Sequence, residues 1–191
     1  MGTEHLIKNA ISFITELFAD NSDGHDLEHS IRVYKTAMRI ADNYNDCNKE
    51  IVALAALLHD ADDHKLFNTE DNANARKFLA ENDVPTEEIN AICEVINSVS
   101  FSKNKWDTPK TIEGQIVQDA DRLDATGAIG IARTFAYGGK NGRSLDDSIE
   151  HFHDKLLHLT EHLNTKEARE LGAERQQLMI SFLEEFRKET E

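Results

Sequence analysis

Four side chains in this sequence have the types and spacing to hold a metal ion: His29, the adjacent pair His59 and Asp60, and Asp121. Two imidazoles and two carboxylates make a mixed nitrogen and oxygen donor set. Such a set suits Mn²⁺, Fe²⁺, Co²⁺, Ni²⁺ or Zn²⁺ better than Ca²⁺, and its hardness leaves Mg²⁺ open. The separations rule out a local loop such as an EF-hand, so the groups must converge from three helices. Each also has an ordinary reading. A lone His is more often a surface or hydrogen-bonded core residue, His-Asp recurs by chance, and Asp121 has Arg122 beside it or the next helix to cap.

The elements that must position these groups follow from periodicity. Ile51 to Leu58 is an unbroken run of eight apolar residues leading directly into His59-Asp60, with Asp62, Asp63 and His64 just beyond. Ionisable groups at the tip of a buried helix must be hydrogen-bonded, paired or holding a metal, because leaving them bare is costly. Asn48 is the expected N-cap of this helix. Apolar spacing predicts a first helix over 4–19 and a second from Asp26 to about Tyr44, separated by the break Asn21-Ser-Asp-Gly24. An irregular connection over 62–69 and a weaker helix over 70–82 come next. A helix starting at Pro85-Thr86 follows, with Thr86 as its cap and reaching about Val99. A long loop spans 100–110, and helices are predicted over 111–123, 125–137, 145–162 and 165–188. Gly138-Gly-Lys-Asn-Gly142 reads as the most flexible stretch. No run alternates with period two, and only two prolines interrupt the chain, so the expected fold is all-α with essentially no sheet.

Composition narrows the function classes. With 21 basic and 36 acidic residues the formal net charge is −15, which argues against nucleic acid and anionic membrane as partners. A small phosphorylated ligand stays compatible, because a bound cation inverts the local field. Cys47 and Cys93 are too few for a disulfide framework and read as free thiols. The start, Met-Gly-Thr-Glu-His, lacks the basic and apolar blocks of a signal peptide, so the expected compartment is the cytoplasm. His151, His153, His158 and His162 read as surface residues.

The order His…His-Asp…Asp on successive helices resembles the HD-domain superfamily of metal-dependent phosphohydrolases. Its elements stand here as Gly24-His-Asp-Leu-Glu-His29, Leu57-Leu-His-Asp60 and Asp119-Ala-Asp-Arg-Leu-Asp124. The chain is similar to a bacterial subgroup of small single-domain members. The agreement runs through His59-Asp-Ala-Asp-Asp-His-Lys65, Val99-Ser-Phe-Ser102, Glu113 to Asp124 and Gly127 to Gly139. The resemblance implies one HD-type domain over 1–191, with a motif-bearing core at about 20–145 and a helical extension over about 145–188.

By motif position, the resemblance makes His29, His59, Asp60 and Asp121 the ligands of one divalent metal (Mn, Mg, Co, Ni, Fe or Zn), with Asp124 as an alternative to Asp121. Some members carry Glu four residues after the motif His, where this chain has the shorter Asp63. Asp63 is the expected residue to orient or deprotonate water, with His64 and Lys65 beside the phosphate or leaving oxygen. Lys103, Lys105, Arg133, Lys140 and Arg143 are the candidate phosphate donors, with Arg133 equally able to pair with an internal acid. Gly138, Gly139 and Gly142 would let backbone N–H groups approach a phosphate. The implied substrate is a nucleotide, foremost a nucleoside triphosphate cut to monophosphate and pyrophosphate. The alternatives are a nucleoside 5′-monophosphate phosphatase, a cyclic-nucleotide phosphodiesterase, and a non-catalytic ligand-sensing or partner-binding module. The chain leaves room for a homodimer.

Overall fold

The structure is a computed structural model that describes residues 2–19, 27–64, 66–100 and 104–190. Among them there is no strand, as the lack of alternation predicts, and no helix is long and apolar enough to cross a membrane. Backbone contacts divide the chain into two compact units, residues 1–118 and 119–191.

The first unit contains α1 (Thr3–Leu17), α2 (Leu27–Ala41), α3 (Lys49–Leu58), α4 (Ala73–Glu81) and α5 (Thr86–Val99). Helix α3 is its axis and packs against α1, α2 and α5. Val52 to Leu58 are all fully buried, so α3 has no polar face and no place but the interior. Asn48 caps it as expected, its side-chain oxygen accepting from the N–H groups of Glu50 and Ile51. Thr86 does not cap α5. The N-cap is Pro85, which makes no side-chain cap bond, and Thr86 is the first helical residue. Pro85 suits that place because its missing N–H and fixed φ cost nothing just before the first turn.

Helix α6 (Ile112–Asp124) runs unbroken across the boundary between the units. The second unit continues with α7 (Gly127–Lys140) and α8 (Leu145–His151). A π-helical turn Phe152–Leu156, a short α-turn Leu157–Leu159 and a 3₁₀ turn Thr160–His162 then lead to α9 (Lys166–Thr190). Helix α7 packs on α8 and α9. The buried Phe152 forms a triangle with the half-buried Phe135 and Phe182, with ring centroids 5.7–6.1 Å apart. The glycine stretch is more ordered than its composition suggests. Gly138 and Gly139 are helical, and only Gly142, at φ 68°, takes the left-handed turn that follows.

Two glycines are required where α6 gives way to α7. Gly127 has φ 65° and lies under the Arg175 side chain, whose Nη1 donates to the Leu123 carbonyl 2.5 Å away. At Gly130 an added Cβ would run into the backbone carbonyl of Ala125, which cannot move without breaking the turn. The Gly130→Ala variant is therefore expected to lose roughly 1–3 kcal/mol of stability, the usual penalty of overpacking. Chemical denaturation checks this, and an unchanged midpoint would contradict it.

Candidate metal centre

The apolar helix α3 delivers its last turn into the interior, and its terminal carbonyls decide how the site is built. Helix C-termini leave carbonyls without intrahelical donors. Here the His59 ring supplies one donor, with Nδ1 2.9 Å from the Ala56 carbonyl oxygen. That contact places the ring proton on Nδ1 and leaves the lone pair of Nε2 pointing away. His59 Nε2 faces His29 Nε2, carried by α2, at 3.2 Å. Asp60 Oδ2 lies 3.4 Å from each of these nitrogens. His29 and Asp60 are buried, and only 4 % of the His59 side chain is exposed.

These three atoms form a nearly regular triangle with edges of 3.2, 3.4 and 3.4 Å. Ligand bonds of ~2.1 Å to a single ion would set neighbouring ligand atoms ~3.0 Å apart at right angles or ~3.4 Å apart in a tetrahedron. The triangle falls between these values. Two imidazole nitrogens and a carboxylate oxygen gathered away from solvent are also the donors such an ion takes. The residues fit the group.

Beyond the triangle the chain is wound by its own hydrogen bonds. Ala61 N–H donates to Leu58 O, Asp63 N–H to Asp60 O, and Leu66 and Phe67 N–H both to Asp63 O. Asp63 stands one turn after Asp60 with 13 % of its side chain exposed, and Nδ1 of the largely exposed His64 is 3.9 Å from its Oδ1. Lys65 lies outside the described residues, as do Lys103 and Gly24 to Asp26 of the first motif.

The three acids of α6 have different surroundings. Asp119 is fully buried and uses both oxygens. Oδ1 accepts from the backbone and side chain of Asn164, and Oδ2 accepts from the N–H and hydroxyl of Thr165. Burial holds its carboxyl above the ordinary range, while the four donors pull it down. Asp124 is buried and paired with Arg133, Nη1 to Oδ2 2.5 Å. Asp121 is half-buried. Between these acids the buried Arg122 donates to the His162 carbonyl.

Lys105 is exposed at φ 47°, Lys140 is the exposed last residue of α7, and the Arg143 guanidinium stacks over the Tyr137 ring at 5.5 Å. Arg133 pairs with Asp124 and keeps 27% of its side chain exposed. Gly138 N–H lies inside a helix, and the Gly138 carbonyl accepts from the Arg143 N–H at 2.8 Å, so the glycine stretch forms a helix C-terminus. Cys47 and Cys93 are free thiols, and burial raises both above the ordinary value. His151 and His162 are half-buried, while His153 and His158 are exposed.

His29 from α2 meets the adjacent His59 and Asp60 at the end of α3, so this helical protein has a histidine–aspartate cluster of metal-type donors. Comparison with known proteins places it more narrowly. The HD domain family model matches residues 26–126, more than half of the chain. The chain is 37% identical to protein YpgQ of Bacillus subtilis over 186 residues, covering 93% of this chain and 90% of that protein. The crystal structure of YpgQ in complex with ADP superposes with a TM-score of 0.86 at 32% identity, over 99% of this chain and 97% of that one. An HD-superfamily hydrolase from Bacillus thuringiensis superposes with a TM-score of 0.82 at 37% identity, over 98% of both chains. This chain belongs to the HD domain family.

The triangle predicts the effect of removing a corner. In His59→Ala, Mn²⁺ affinity should fall by more than the roughly 10–100-fold produced by losing an outer partner of a ligand. Titration calorimetry on the metal-free protein measures this, and wild-type affinity in the variant would contradict the assignment.

Proposed function

We propose that this protein is a divalent-metal-dependent phosphohydrolase that acts on nucleotides. The observation that carries the reading is the triangle of His29, His59 and Asp60, three metal-type donors held within 3.4 Å of one another. Asp121 is the proposed fourth ligand, and engagement of Asp124 by Arg133 supports the choice between these two acids. The HD match over residues 26–126 spans the boundary between the compact units, which supports reading the chain as one HD-type domain with a C-terminal helical extension.

When bound, such an ion supplies Lewis-acid chemistry, neutralising phosphoryl charge and making a nearby water more acidic. The chain supplies the rest. Asp63 is fixed one turn after Asp60, partly open to solvent, and is the group proposed to orient the water and take its proton. Water adds to the α-phosphorus of the triphosphate as its bond to the bridging oxygen breaks, and that oxygen leaves with pyrophosphate. His64, exposed beside Asp63, and Lys65 are proposed to meet the leaving group. Lys103, Lys105, Lys140 and Arg143 are proposed donors to the remaining phosphates. A nucleotide as substrate is supported by the ADP complex of the relative YpgQ. Within that class we favour nucleoside triphosphates, cleaved to monophosphate and pyrophosphate.

A panel of mono-, di-, tri- and cyclic nucleotides, assayed with Mn²⁺, Mg²⁺, Co²⁺ or Ni²⁺ and with phosphate and pyrophosphate measured separately, tests the proposal. The expected result is pyrophosphate release from triphosphates, abolished by Asp60→Ala. Asp63→Asn should lower kcat by about 10²–10⁴-fold with a smaller change in KM. Phosphate release from monophosphates alone would reassign the protein as a nucleotidase. No turnover by folded, metal-loaded wild type would instead identify a ligand-sensing module.

A further inference from the structure

We propose that Asp62 is a positioning residue which, together with Asn74, holds the loop carrying Asp60 and Asp63 at the mouth of the centre; the inference rests on the metal-site reading above. Helix α4 begins without a cap of its own. Asp71 and Asn72 are both left-handed, at φ 51° and 55°. Asn72 makes no side-chain cap bond, and the first turn contains no acid. A helix start in that condition leaves N–H groups without acceptors and a positive dipole end without a partner.

The missing cap comes from ten residues upstream. Asp62 Oδ1 accepts from Asn74 N–H at 2.9 Å and Oδ2 accepts from Ala75 N–H at 3.0 Å. These are the second and third N–H groups of the helix, the ones an adjacent N-cap side chain would serve. Asn74 returns the contact, its Nδ2 donating to the Ala61 carbonyl at 2.8 Å. The bracket is thus reciprocal, like a capping box, but it joins a helix to a distant loop. Its loop side is Ala61-Asp62, directly between the corner residue Asp60 and the water-facing Asp63. Asp62 and Asn74 together tie the loop to the start of α4. Asp60 is held against the imidazoles, and Asp63 is set in register one turn later. With the proposed roles of Asp60 and Asp63, the string Asp60-Ala-Asp-Asp63 divides into a ligand, an anchor and a base.

An anchor that only stabilised α4 would alter unfolding and leave metal binding alone, and this difference is measurable. Mn²⁺ titration calorimetry and metal-free thermal unfolding would be carried out on the full chain as wild type, Asp62→Asn, Asn74→Ala, Asp60→Ala and Ala80→Gly. Ala80 is exposed on α4, and its replacement by glycine weakens the helix without reaching the loop. Asp62→Asn and Asn74→Ala are each expected to weaken Mn²⁺ binding about tenfold. Ala80→Gly should lower Tm and leave the Mn²⁺ Kd at the wild-type value. A wild-type Kd in both Asp62→Asn and Asn74→Ala, while Asp60→Ala loses the ion, would overturn the positioning role and spare the metal site. Wild-type affinity in Asp60→Ala would overturn both.

Discussion

The structure depends on one constraint: α3 is apolar on every side and ends in two ionisable residues. Its seven residues Val52 to Leu58 are without solvent exposure, so the helix can sit only at the middle of the first unit. That burial, at roughly 25 cal/mol per Å² of apolar surface, is what drives His59 and Asp60 inward. Once there they need partners. The chain provides them by bringing His29 from α2 within 3.2 Å and by using His59 Nδ1 to satisfy the carbonyl of Ala56. The hydrogen bond that finishes the helix is also the one that aims the imidazole lone pair.

The acids of the motif segments divide the work by where their hydrogen bonds lead. Asp60 has its carboxylate against two ring nitrogens. Asp62 serves the first turn of α4. Asp119 serves the start of α9 through Asn164 and Thr165, and Asp124 holds Arg133. In an acidic chain of net charge −15, pairing the last three of these carboxylates with backbone donors or with arginine offsets the cost of burying their charge.

Much of this was legible in the sequence. The unbroken run into His59-Asp60, the Asn48 cap and the lack of strand periodicity depend on neighbours in the chain, and local pattern reads such neighbours well. Asp62 and Asp119 were not legible, because their partners stand 12 to 13 and 45 to 46 residues away and any exposed acid has the same local signature. Two misplaced expectations have physical origins. Thr86 looked like a cap because capping residues and first-turn residues share a composition, and Pro85 took the position ahead of it. Gly138 and Gly139 looked like loop, although packing carries α7 through them to Lys140. The partner of Arg133 was not legible in sequence, because a buried acid within reach, here Asp124, cannot be seen there.

The central claim is that the Nε2 atoms of His29 and His59 and the carboxylate of Asp60 hold one divalent ion. Its most direct test is anomalous diffraction from a crystal grown with Mn²⁺. The expected result is a single strong peak per chain at about 2.0–2.2 Å from all three atoms. A peak bound elsewhere, or none at this triangle in a crystal saturated with the ion, would contradict it.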